Sequence, residues 1–178
     1  MGWHLFVLHA SGPRATPATL ATTGYAPIGM RMTVDQALAD IDDVAPDGIA
    51  VVEREGPGLH AVARFLDHDA LPRALAGDGG EAMTFLWQGG TSSYVLSVFR
   101  DGRPVRRLVR ADGEIVVDEG PALPIEAATG WSEDDGPGDD EEALFALAAA
   151  LTDEPVGGEA WRARMTSVHR RRRRADPT

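Results

Sequence analysis

From Tyr94 to Glu119 three apolar stretches are separated by Asp101-Gly102 and Asp112-Gly113. A two-residue hairpin loop that matches the twist of its strands needs positive φ at both central residues, and Asp-Gly meets that need at little steric cost. The segment therefore predicts an antiparallel three-stranded meander. If each loop holds two residues, counting outward sets Val98 opposite Val105, Tyr94 opposite Val109, Val109 opposite Val116 and Leu108 opposite Val117. The same register places Arg107 opposite Asp118 and Arg106 opposite Glu119, two cross-strand ion pairs. A slip of one residue would turn every side chain to the other face and lose both pairs. Apolar residues fall on both faces of this meander, so helices or loops are expected on both sides.

The rest of the chain supplies them. Trp3 to His9 reads as a first strand and Ser11 to about Gly24 as a Pro/Thr/Ala/Gly-rich loop. Thr33 with Gln36 three residues later forms a capping box ahead of Val34, Leu38 and Ile41, a helical face that must stop before Pro46. Short strands are expected at Gly48 to Glu53, Leu59 to Leu66 and from Met83 to Trp87, with a short helix capped by Asp69 between the last two. Leu144, Leu147, Ala148 and Leu151 give a later helix its apolar stripe, and a final helix from about Gly158 would align Trp161, Met165 and Val168. The expected architecture is α+β: a mostly antiparallel sheet of about six or seven strands with short helices packed on it and a C-terminal helical segment. Residues 1–128 form the sheet domain, 129–140 an acidic linker, 141–169 C-terminal helices of the same domain, and 170–178 a basic tail.

A chain of 178 residues suits one domain that buries roughly 70% of the surface its unfolded form exposes. It shows no apolar run of about 18 residues and no basic-then-apolar leader, so no membrane span or secretory signal is expected and the cytoplasm is the default location. Cysteine, lysine and asparagine are all absent, and all 17 basic residues are arginine. Without cysteine there are no disulfides, thiol nucleophiles or thiolate metal sites. Without lysine a Walker phosphate loop, a Schiff-base enzyme and a biotin or lipoyl carrier are excluded. No cofactor is expected.

Net charge is −11, unevenly spread. Arg170, Arg171, Arg172, Arg173 and Arg174 stand against Asp176 alone, so residues 170–178 carry +4 and the remainder −15. An acidic body repels nucleic acid, whereas its basic end attracts it. Seven carboxylates between Ser132 and Glu142, with Gly136, Pro137 and Gly138, read as a solvated linker.

Met1-Gly2, Leu71-Pro72, Asp101-Gly102, Val105-Arg106-Arg107-Leu108 and Gly120-Pro-Ala-Leu-Pro-Ile-Glu126 follow one another in an order that resembles an uncharacterised domain family of GC-rich bacteria. The resemblance rests on order of elements over about two thirds of the chain, and on motif only from about Ser93 to Glu126. It implies a fold and no activity.

Four clusters can be read chemically. His60, Asp67, His68 and Asp69 contain metal-ligand types, although Asp67-His68-Asp69 is contiguous at a strand end where a turn and a helix cap account for it. Gly89, Gly90, Thr91 and Ser92 lie in a loop whose amides and hydroxyls suit an anion nest, against a plain strand connection. Arg106 and Arg107 could grip a phosphate or carboxylate, but Asp118 and Glu119 already serve them. Arg170 to Arg174 is a nucleic-acid contact or a solvated tail, without aromatic residues to stack bases. Glu53 with Glu55, and Asp42 with Asp43, have no second element pinned beside them. No serine sits in a nucleophile elbow. The leading functional expectation is a non-catalytic protein that binds a basic macromolecular partner, as an immunity-like, antitoxin-like or accessory factor. The alternatives are a metal-dependent enzyme or ligand-binding domain using His60 and His68, and nucleic-acid contact through the arginine tail.

Overall fold

The computed structural model describes residues 4–53, 57–64, 69–88, 91, 93–128, 141–152 and 154–172. These form nine strands in one sheet, against the six or seven expected. In chain order the elements are β1 (His4–Ser11), α1 (Pro17–Thr22), β2 (Tyr25–Thr33), α2 (Val34–Val44), β3 (Ile49–Val52), β4 (Leu59–Ala63), α3 (Ala70–Leu75) and β5 (Glu81–Gln88). The meander follows as β6 (Ser93–Arg100), β7 (Arg103–Ala111) and β8 (Glu114–Glu119), then α4 (Pro124–Ala128), α5 (Glu141–Thr152), α6 (Glu159–Arg162) and β9 (Met165–Arg171). The sheet runs β2-β9-β3-β4-β1-β5-β6-β7-β8, with every neighbouring pair antiparallel. No helix among the described residues is long and apolar enough to cross a membrane.

Two cores sandwich the sheet, as the two-faced meander requires. On one face Val34, Leu38 and Ile41 of α2, Leu147 and Ala148 of α5 and Trp161 of α6 meet Val7, Phe85, Leu96 and Leu108. On the other, Leu20 of α1 and Leu71 and Leu75 of α3 meet Phe6, Leu8, Ala61 and Phe99. The capping box forms as read: Thr33 Oγ1 accepts from Gln36 N at 3.1 Å and Gln36 Oε1 accepts from Thr33 N at 2.9 Å. The expected loop from Ser11 to Gly24 instead contains α1, whose N-cap Thr16 accepts from Thr19 N.

The chain's end departs most from expectation. Helix α6 stops at Arg162, and Met165–Arg171 returns as a strand between β2 and β3. The spacing of Trp161, Met165 and Val168 suits one helical face, yet Met165 is 37% exposed while Trp161 and Val168 are buried. Alternation decides here: Thr166 and Val168 are β-branched and turn to one face, a strand pattern that outweighs the helical one. The acidic linker expected at 129–140 lies outside the described residues.

Both Asp-Gly turns form, with φ of 50° and 70° at Asp101 and Gly102 and 52° and 82° at Asp112 and Gly113. The register beyond them is corrected. A bulge sets Val98 opposite Arg106 and Tyr94 opposite Arg110, leaving Val105 as the extra residue of β7. A second bulge sets Val109 opposite Val117 and Leu108 opposite Asp118, leaving Val116 as the extra residue of β8. Pro104 supplies the reason for the first, since a residue without an N–H cannot continue the ladder and is tolerated at a bulge. Val116 is 56% exposed on an edge strand, where bulges concentrate.

Candidate functional site

The bulge at Val105 turns Arg106 inward, to the face of Val98, and leaves Arg107 on the opposite face with Ser97. Arg106 therefore does not pair with Glu119, as expected, but with Asp118 and Glu126. Its Nε donates to Glu126 Oε1 at 2.8 Å and its Nη2 to Glu126 Oε2 at 2.6 Å, while Nη1 reaches the carbonyls of Glu119 and Gly120 at 3.2 and 3.0 Å. The hydrogen bonds that Arg106 donates to Glu126 raise the Arg106 pKa, outweighing the burial that would lower it. Glu126 Oε1 also accepts from Leu123 N at 3.0 Å, closing the first turn of α4. Gly120 makes this approach possible: its φ is +80°, and a Cβ there would lie 2.1 Å from the carbonyl oxygen of Val105. The stretch from Gly120 to Glu126 is thus a clamp around one buried guanidinium.

On the reverse face a row of polar side chains crosses four strands. Thr84 of β5 lies opposite Ser97 of β6, Ser97 opposite Arg107 of β7, and Arg107 opposite Glu119 of β8. Arg107 thus faces Glu119, not the expected Asp118. Ser97, Arg107 and Glu119 line a cleft of about 260 Å³ together with Phe99, Pro104, Asp69 and Arg73. Arg73 closes one wall: it binds both Asp69 oxygens, at 2.9 and 3.0 Å, donates to Gly102 O at 3.1 Å and lies 5.8 Å from the centroid of the Phe99 ring.

The other expected sites come apart. His60 is fully buried, faces His9 across β1 and β4, and accepts from Trp161 Nε1 at 3.3 Å. Asp69 occupies the N-cap position of α3 without making a side-chain cap bond, because Arg73 takes its carboxylate. Asp67 and His68 lie outside the described residues, among which no group of three or more metal-ligating side chains is found. Of the proposed nest, Gly89, Gly90 and Ser92 lie outside the described residues, while Thr91 Oγ1 donates to Ser93 Oγ at 3.0 Å. Arg170 and Arg171 belong to β9, not to a free tail, and Arg170 Nη2 donates to Val44 O at 2.8 Å. Arg172 N donates to Gly24 O at 2.8 Å, and Arg173 and Arg174 lie outside the described residues.

The surface charge follows from how the arginines are used. Arg14 pairs with Asp78, Arg31 with Glu53, Arg73 with Asp69, Arg100 with Glu81 and Arg164 with Glu154. Arg162 approaches Asp35 at 3.7 Å. Apart from the part-buried Arg164–Glu154, these exposed pairs contribute little stability, about 0–1 kcal/mol each, but they neutralise cations inside the molecule. Asp40 and Asp43 on α2 and Asp47 just beyond it are exposed, and no cation pairs with any of the three among the described residues.

Glu126, Ser97 and Thr84 are the participants that sequence reasoning missed. A signal existed for each: Leu123-Pro-Ile-Glu126 has the spacing of a helix-start box, and Ser97 and Thr84 are hydroxyls inside otherwise apolar strands. Comparison with protein-family models, with curated proteins and with solved structures finds no match to this chain.

Proposed function

We propose that the protein is a non-catalytic binding module whose acidic α2 face receives a basic macromolecular partner, in the manner of a neutralising or accessory factor. The observation that carries this reading is the pattern of ion pairing. Arg14, Arg31, Arg73, Arg100 and Arg164 are drawn into internal ion pairs, whereas Asp40, Asp43 and Asp47 stay exposed and form no ion pair among the described residues. Clustered charge of one sign steers a partner of the other sign and excludes like-charged competitors.

Capture by the tagged full-length chain from its native lysate, with and without nuclease, tests the reading. A basic protein retained in stoichiometric amount after nuclease treatment, and released by salt, is the expected result. Loss of every captured species on nuclease treatment would overturn it in favour of nucleic acid held by the arginines that end the chain.

A further inference from the structure

We propose that the cleft beside α3 binds a small amino-carboxylate zwitterion, a function separate from the acidic face of α2. Buried polar groups in folded proteins are nearly always hydrogen-bonded. Ser97 is 5% exposed and lines the cleft, and no hydrogen bond to another described residue holds its hydroxyl, which is therefore available to whatever fills the cleft. Thr84, its cross-strand neighbour, is 1% exposed, and its buried Oγ1 has no hydrogen-bond partner among the described residues. A hydroxyl on the cleft wall, with an unsatisfied buried hydroxyl on the neighbouring strand behind it, points to a polar ligand.

The charges choose which kind. Arg73 is committed to Asp69, and Arg106 to Glu126 and Asp118. That leaves one uncommitted cation, Arg107, and one uncommitted anion, Glu119, which face each other in register without an ion pair among the described residues. A simple anion would satisfy Arg107 and be repelled by Glu119, and a simple cation the reverse. A ligand with one carboxylate and one ammonium satisfies both, its carboxylate on the Arg107 fork and the Ser97 hydroxyl, its ammonium on Glu119. Neighbouring strands stand about 4.8 Å apart, so Ser97 and Glu119, two strands apart, allow an extended as well as a compact zwitterion. Phe99 and Pro104 offer the apolar surface that its carbon skeleton covers. At about 260 Å³ the cleft is of metabolite size, just below the usual range for drug-sized ligands.

Thermal-shift and calorimetric titrations of the full chain with L-leucine and 6-aminohexanoate test this, with N-acetyl-leucine, leucine amide, hexanoate and hexylamine as singly charged counterparts. We expect at least one zwitterion to raise the melting temperature saturably. Its singly charged counterparts should bind about tenfold more weakly or worse, since each forfeits a charge-assisted contact. Arg107→Gln and Ser97→Ala should both weaken binding while leaving the unliganded melting temperature within a few degrees. Equal affinity for a zwitterion and its singly charged analogues, binding unaffected by either substitution, or no saturable shift from either zwitterion at millimolar concentration would each overturn the proposal. The last result would mean that water fills the cleft and that Arg107 and Glu119 serve only each other.

Discussion

The carboxylate of Glu126 is shared: one oxygen lies 2.8 Å from Arg106 Nε and also 3.0 Å from the backbone nitrogen of Leu123. One side chain thereby joins β7 to the start of α4 and satisfies both. Arg106 and Glu126 have side chains 1% and 0% exposed, so removing either leaves a buried charge with less to answer it.

Glu126→Ala should therefore destabilise the fold by about 3–5 kcal/mol, the usual cost of breaking a buried pair from one side. Replacing both partners, as Arg106→Met with Glu126→Leu, should cost clearly less than the single change, because no charge remains to be desolvated. Urea unfolding of the two variants checks the order, and a double variant less stable than Glu126→Ala would contradict it.

Gly120→Ala acts at the same clamp by another route. Its positive φ and the 2.1 Å approach of a Cβ to the Val105 oxygen mean that the backbone must move. A loss of more than about 1 kcal/mol is expected, opposite in sign to the gain an alanine brings where glycine has no conformational task. A melting temperature unchanged from the wild type would refute this.

Trp161→Phe should keep an aromatic ring under α2, though a smaller one, while removing the donor that His60 Nε2 accepts from. Trp161 and His60 are 1% and 0% exposed, so water does not readily replace the lost donor. The expected cost is about 1–3 kcal/mol, and a chemical-denaturation midpoint equal to that of the wild type would contradict it.

His169, 5% exposed beside Ser167, has its pKa lowered by burial. The folded protein resists protonation there, so in acid the unfolded chain binds the proton first. The contribution of His169 is complete above the unfolded value of about 6.5 and is lost as pH falls from there toward the lower folded pKa. Stability measured from pH 7.5 to 5 should decline in the wild type and decline less in His169→Gln. Parallel curves would show that His169 does not contribute.

Much of the fold was legible because its signals are local. The two Asp-Gly turns, the Thr33–Gln36 capping box and the halt before Pro46 each depend on a few adjacent residues, and each appears where read. Counting outward from the turns misses the register because Pro104 interrupts the ladder beside the first turn, and one bulge is enough to move Arg106 to the other face. Strand β9 failed because its partners, Met32 and Ile49, lie more than a hundred residues away in sequence. The cleft was the least legible feature, since it exists only once bulged pairing brings Ser97, Arg107 and Glu119 into one row. Nothing in their spacing announces that row.

The acidic face is tested most directly by titrating the captured basic partner against the wild type and against Asp40→Asn/Asp43→Asn/Asp47→Asn across a range of salt concentrations. All three positions are exposed and bind no cation within the described chain, so the variant should fold as the wild type does. At least a tenfold loss of affinity at low salt and a flatter dependence on salt are expected in the variant, in line with screening of exposed charges. Equal affinity and an equal salt slope for the two proteins would contradict it.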